Sequence, residues 1–191
     1  MKYSPIVLFV YDRPWHTKKT IEALQNNELA SESELFIYAD NAKNKKINNQ
    51  VLKVRKYIKK IEGFKNVTII EREKNWGLSK SIIDGVTTIV DEFGKIIVLE
   101  DDLLVSPYFL EYMNRALERY EHEDKVMQIS ANMLPIRSGE TLPDMFFCKM
   151  TTSWGWASWD RAWCKFEPDA NILLSSLSGK RARKEFDMEY N

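Results

Sequence analysis

The sequence predicts an α/β fold in three layers, a mostly parallel central sheet covered by helices on both faces, and three observations carry that expectation. Short apolar runs rich in β-branched residues recur at 6–10, 35–38, 67–70 and 96–99. The stretches between them carry apolar residues at helical spacing. Strand and helix therefore alternate four times in succession, an order that requires crossover connections and parallel strands.

Each element can be justified in turn. Residues 6–10 form a first buried strand, and Arg13-Pro14 follows, where proline suits the first turn of a helix running to about Gln25. Leu35 to Tyr38 is a second strand ending at Asp40. Val51, Val54, Ile58 and Ile61 then recur on one helical face, with Gly63 as the stop. Val67 to Ile70 is a third strand. After the Lys74-Asn75-Trp76-Gly77 loop, Ile82, Val86, Ile89 and Phe93 define a helix that ends before Gly94. Ile96 to Leu99 is a fourth strand, and Ser106-Pro107 is expected to cap and open a helix through about Tyr120. Val126 to Ile129 and Met145 to Lys149 are candidates for a fifth and a sixth strand.

Composition narrows the function classes. The 191 residues are 44% hydrophobic, enough for one sizeable core, with residues 1–166 as the domain and 167–191 as a tail or truncated remainder. Lys and Arg number 28, as do Asp and Glu, so no net positive charge points to nucleic acid. Cys148 and Cys164 lack metal-ligand spacing and fit a reducing compartment. With no leader-like start and no apolar stretch of spanning length, a cytoplasmic, soluble chain is expected. The basic run Lys180-Arg181-Ala182-Arg183-Lys184 reads first as a solvated helix face, with peripheral contact to an anionic membrane as the alternative.

The most informative feature is Glu100-Asp101-Asp102, which stands where the fourth strand leaves the core. Ligands of open α/β sheets bind outside the carboxyl ends of strands. Crowded carboxylates there repel one another, and a hard divalent cation with nucleotide phosphates would relieve the repulsion through oxygen ligation. A solvated acidic turn is the plain alternative. If strand alternation continues through the triplet, Glu100 and Asp102 face one ligand while Asp101 faces another or turns into the loop.

Four ordered segments carry a family resemblance. The stretch Ile97-Val98-Leu99-Glu100-Asp101-Asp102-Leu103 through Ser106-Pro107-Tyr108-Phe109 resembles the metal-binding segment of GT-A-fold nucleotide-sugar glycosyltransferases, most closely the N-acetylglucosaminyltransferase I type. The opening 5–14 and the Asn75-Trp76-Gly77-Leu78 loop look like the donor-site strand and loop of these enzymes. Ser153-Trp154-Gly155-Trp156-Ala157-Ser158-Trp159 is similar to the Gly/Trp segment that follows their metal site. The resemblance covers roughly residues 4 to 166. It implies a GT-A fold, a Mn2+ or Mg2+ ion, a nucleotide-sugar donor, a glycan or glycoconjugate acceptor, and transfer with inversion.

It also implies roles residue by residue. Asp102, the last acid of the triplet, is the expected direct metal ligand, with Glu100 and Asp101 bonding donor sugar or ribose hydroxyls. Asp40 resembles the acid that recognises base or ribose, although Asp before Asn is also a common turn residue. Tyr11 and Arg13 leave the first strand toward the same edge, where nucleotide contacts are expected; Arg13 is equally readable as a surface residue. Asn75 belongs to the donor loop, and Lys80 near the following helix start is a candidate phosphate contact or a plain surface lysine. Trp156, Trp159 and Trp163 share helical spacing and read as core, which leaves Trp154 for substrate. No carboxylate after Trp163 matches the catalytic base of an inverting transferase; Asp169, Glu185, Asp187 and Glu189 lie there without recognisable context. A nucleotide-sugar-binding module without transferase activity is therefore the second hypothesis. A phosphotransferase or response-regulator-like domain is the third, disfavoured because its nucleophilic aspartate belongs after an early strand.

Overall fold

The computed structural model describes residues 3–132 and 143–186. In chain order these form β1 (Ile6–Val10), α1 (Pro14–Gln25), β2 (Glu34–Ala39), α2 (Lys45–Ile58), β3 (Asn66–Glu71), α3 (Leu78–Phe93), β4 (Lys95–Glu100), α4 (Phe109–Arg119), β5 (Ile129–Ser130), β6 (Trp156–Trp159), α5 (Asp160–Trp163), α6 (Ala170–Ser176) and α7 (Lys180–Phe186). The six strands make one sheet in the order β3-β2-β1-β4-β6-β5. β1 is parallel to β2 and β4, and β2 to β3, while β6 runs antiparallel to both β4 and β5. The expected mostly parallel α/β sheet is what the chain forms.

The central strands are apolar on both faces because both faces are covered. Ile6, Leu8 and Val10 of β1 point with Ile97 and Leu99 of β4 into a core shared with α1, α2 and α4. Val7 and Phe9 point with Ile96 and Val98 to the other face, against Val86, Ile89 and Val90 of α3. That second layer sits very close. A Cβ on Gly85 would come within 2.9 Å of the Phe9 ring and 3.2 Å of Tyr38, so only glycine allows α3 this approach.

Three expectations change. The sixth strand is Trp156–Trp159, and 145–149, expected as strand, is irregular and exposed. A strand there would lay Met145, Phe146 and Phe147 beside the sheet, whereas WASW offers alternating partners to both cores. The helical stripe expected at 156–163 is thus a strand followed by one short helical turn. Trp156 and Trp159 are buried as expected, but on opposite sheet faces, Trp156 with α3 and Trp159 with α4. The fifth strand is two residues long and lies at 129–130, at the end of the expected run. Its approach is held by Arg161, whose guanidinium donates to the carbonyls of Tyr120, Glu121 and Val126.

The Ser106 side chain does not cap α4. The helix opens at Phe109 after a turn closed by Phe109 N donating to Ser106 O at 3.1 Å. The capping acceptor comes from another element: buried Asn27, just past α1, accepts from Leu110 N at 2.9 Å through Oδ1. An orphan amide of the first turn is satisfied across 83 residues of sequence. Among the described residues no helix is long and apolar enough to cross a membrane.

Candidate functional site

The carboxyl ends of β1, β2 and β4 lie side by side, because Val10 pairs with Ala39 and Phe9 with Glu100. Everything that leaves these three strands therefore meets at one sheet edge. That edge carries Tyr11, Asp12 and Arg13 from β1, Asp40 and Asn41 from β2, and Glu100, Asp101 and Asp102 from β4.

The acidic triplet does not behave as a continuous strand. β4 ends at Glu100, and residues 101 and 102 turn. Asp101 is buried and folds back toward β1 and α1: its Oδ2 accepts from Tyr11 N at 3.1 Å and from Thr17 Oγ1 at 3.5 Å. Asp102 stays outside, its side chain 43% exposed, and its Oδ2 is 2.5 Å from Arg13 Nη1, which also lies 3.9 Å from Asp101 Oδ1. Glu100, the last residue of β4, is half-buried, and among the described residues its side chain makes no hydrogen bond. The expected pairing of Glu100 with Asp102 on one side is replaced by Asp101 and Asp102 sharing Arg13, since the turn breaks the alternation.

The electrostatics follow from this crowding. Burial first, and then the Asp102 and Asp101 charges, push the Glu100 carboxyl above its ordinary range. Burial likewise pushes Asp101 up, opposed by the Tyr11 amide and by Arg13. Arg13 is pushed up chiefly by its hydrogen bond to Asp102, with further attraction from Asp101 and Asp12. Four carboxylates, Asp12, Glu100, Asp101 and Asp102, thus surround one guanidinium. The edge is short of positive charge.

Asp40 organises the neighbouring loop. Its Oδ1 accepts from Asn41 N (2.8 Å) and Trp76 N (2.9 Å), and its Oδ2 from Asn75 Nδ2 and Gly77 N, both at 2.9 Å. Asn75 Nδ2 also reaches Asn41 O at 2.7 Å. Gly77 holds φ +76°, a conformation an L side chain would strain, and this lets its amide turn to Asp40 at the N-cap of α3. With both oxygens engaged and the residue 8% exposed, Asp40 fixes the 75–77 loop to β2.

Trp76, so held, is a platform for cations. The Arg72 guanidinium lies 3.9 Å from its ring centroid and Lys80 Nζ 4.4 Å. Arg72 also stacks on Tyr38 at 5.1 Å and pairs with Asp84 of α3. Lys80 therefore rests on the Trp76 ring within the loop region. Tyr11 turns its hydroxyl to accept from Lys43 N at 3.1 Å. Trp154 stands apart from the core with 54% exposure, before Gly155 and β6.

Several contributors escaped the reading of the sequence. Thr17 backs Asp101, and Arg55 of α2 ties the strand ends together by donating to the carbonyls of Ala39, Asp40 and Arg72. Asp12 stood in plain view beside Arg13, and the count of acids at that strand end was the signal for it. An arginine on the polar face of α2 carries no such signal.

The donors present suit a hard divalent cation. Among the described residues no three His, Cys, Asp or Glu side chains converge in a metal-holding cluster. The exposed carboxylate of Asp102 nonetheless suits an ion whose remaining ligands are phosphate and water.

Solved structures that resemble the chain include TarS of S. aureus, 14% identical with a TM-score of 0.48, over 63% of this chain and 20% of that one. A second is the mannosyltransferase PcManGT of Pyrobaculum calidifontis in complex with GDP-Man and Mn2+, 13% identical with a TM-score of 0.46, over 67% and 35%. A third is 4-diphosphocytidyl-2C-methyl-D-erythritolsynthase of Anaerococcus prevotii, 12% identical with a TM-score of 0.44, over 96% and 81%. The chain thus spans about a fifth of the first and a third of the second. No curated protein matches the sequence significantly. Residues 6–151 match the Glycosyl transferase family 2 profile, which takes in β1 through β5 and the acidic edge, and the chain belongs to that family, with its GT-A fold.

Proposed function

We propose that this chain binds a nucleoside-diphosphate sugar together with Mn2+ or Mg2+ at the joined ends of β1, β2 and β4 and transfers the sugar, with inversion, to a glycan or glycoconjugate acceptor. The observation that carries the reading is the meeting of Arg13 with Asp101 and Asp102 at a strand edge where Asp12 and Glu100 add two further carboxylates around the same guanidinium. A nucleotide sugar brings two phosphates and a leaving group that departs with growing negative charge. A bound divalent ion supplies Lewis-acid charge to that leaving group. Asp102 is the residue that would hold it, with Glu100 and Asp101 toward donor sugar or ribose hydroxyls, in keeping with the likeness of the triplet to the N-acetylglucosaminyltransferase I type. Arg13 and Lys80 supply the protein's own positive charge toward the phosphates. Asp40 acts through the loop it holds, placing Asn75 and Trp76 beside Asn41 for base or ribose contact. Trp154, exposed beyond the sheet, suits the acceptor side. Residues 1–166 form the donor-binding domain in this reading, and 167–191 a tail or part of an acceptor region.

Calorimetric titration of GDP and UDP, in manganese and in chelator, tests the donor site. Affinity is expected to rise with manganese and to lose most of that gain in Asp102→Asn; equal affinity in both media defeats the proposal.

A binding module without turnover is the second reading, and one observation favours it. β6 runs antiparallel to β4, with Trp159 opposite Lys95, so α5 begins at the sheet edge away from the acidic triplet. Asp169 is engaged there as the N-cap of α6, and Asp187 and Glu189 lie outside the described residues. Missing base catalysis typically slows a reaction about 10²–10⁴-fold. Release of nucleoside diphosphate that acceptor accelerates to many turnovers per second supports the transferase, and acceptor-independent slow release supports the module.

A further inference from the structure

The contact between Arg13 and Asp102 bears on how a cation reaches this edge. Arg13 is anchored at its backbone and half-exposed at its ion-paired tip. Its carbonyl accepts from both Thr17 N and Thr17 Oγ1 at 2.9 Å, which fixes the start of α1. Its side chain is 51% exposed and spans to β4 to place Nη1 2.5 Å from Asp102 Oδ2. The carboxylate expected to bind metal is thus already engaged by a positive charge of the same chain. A guanidinium and a divalent ion cannot both approach one carboxylate oxygen closely, because they repel and compete for the same lone pairs.

A diphosphate changes this balance. Arginine presents planar, paired donors that match phosphate as well as carboxylate, and it carries its charge at every accessible pH. With Asp12, Glu100, Asp101 and Asp102 nearby, an incoming anion is repelled unless positive charge comes with it. We propose that Arg13 is a placeholder for the metal: it neutralises Asp102 while the donor site is empty and transfers to the diphosphate when the nucleotide and its divalent ion arrive together. This rests on the donor-site reading above. It makes Arg13 a positioning residue that couples the two ligands. The metal alone must displace an ion pair, whereas metal with nucleotide offers Arg13 a new partner. By linkage, each ligand then raises the affinity for the other.

The test is Mn2+ binding to the full chain, read from the electron paramagnetic resonance signal of the free ion, with Mn2+ alone and with saturating GDP or UDP. Wild type, Arg13→Gln and Arg13→Lys are compared, with Asp102→Asn as reference. Arg13→Gln is expected to bind Mn2+ alone about three- to tenfold more tightly than wild type, since an exposed charge-assisted pair is removed. The enhancement of Mn2+ affinity by nucleotide is expected to shrink in that variant, with Arg13→Lys between the two. A merely structural role for Arg13 would lower Mn2+ affinity or leave it unchanged. Asp102-dependent Mn2+ binding that Arg13→Gln leaves unchanged or weakens overturns the placeholder alone. Absence of Mn2+ binding in every protein, with and without nucleotide, overturns the donor-site reading and the placeholder with it. Arg13 makes no capping bond with its side chain, so the variants are expected to fold, and circular dichroism melts verify that before titration.

Discussion

At the scale of single residues the edge is built from carboxylates with different duties. Asp101 is buried and spends its charge on the Tyr11 amide and Thr17; Asp102 is exposed and meets Arg13; Asp40 accepts three hydrogen bonds from the 75–77 loop and one from Asn41 N. The last arrangement tolerates no donor in place of an acceptor. Asp40→Asn puts an NH2 group either against Asn41 N and Trp76 N or against Asn75 Nδ2 and Gly77 N, and it removes the negative charge that strengthens each bond. The variant is expected to lose about 1.5–3 kcal/mol in urea melts and to weaken nucleotide binding, because the 75–77 loop is no longer fixed. Unchanged stability would show that the loop does not depend on this carboxylate. Asp40 was legible as a strand-end acid. Its partnership with Asn75, 35 residues on, was not, because that contact exists only once β2 and α3 are placed by the sheet.

At the scale of elements, what was legible and what was not follows the period of the apolar pattern. β1 to β4 and α1 to α3 stand out because each buries a continuous run or a regular stripe; the α3 stop at Gly94 follows local backbone chemistry, whereas α2 ends at Ile58, short of the expected Ile61 and Gly63. The antiparallel end of the sheet was misread, since three tryptophans at positions 156, 159 and 163 satisfy a helical period as easily as two strand residues plus a turn. The strand decides the energetics. Trp159 donates from Nε1 to Leu117 O and packs with α4, while Trp156 stacks near Trp163 at 6.0 Å on the other face. Trp156→Ala and Trp159→Ala are each expected to lose about 3–5 kcal/mol as large-to-small core changes, and Trp154→Ala close to none. Denaturant melts compare the three. An equal loss at Trp154 would put that ring in the core and remove it from the acceptor side.

At the scale of the whole molecule, the parallel half of the sheet carries the acidic edge and the antiparallel half ties the chain back on itself, and both depend on the two helical layers staying in register with the strands. Three tyrosines report on those layers. Tyr38 faces α3, Tyr57 sits on α2, and Tyr112 on α4 donates to Ser130 O at 3.1 Å. In each, burial is the first cause that pushes the phenol above its ordinary value of 10.0. The sign of the linkage is fixed by proton counting. Above about pH 10 the unfolded chain releases phenolic protons that the native protein still holds, so the native state binds more protons and stability falls with rising pH. Their contribution is fully present below that value and is lost as pH climbs through the raised native values. Urea midpoints between pH 8 and about pH 11 should therefore decline, and the triple variant Tyr38→Phe, Tyr57→Phe, Tyr112→Phe should decline less steeply, even though losing the Ser130 bond lowers its starting stability. Equal slopes in the two proteins would mean that these phenols titrate alike folded and unfolded, and that the helical layers leave them open to water.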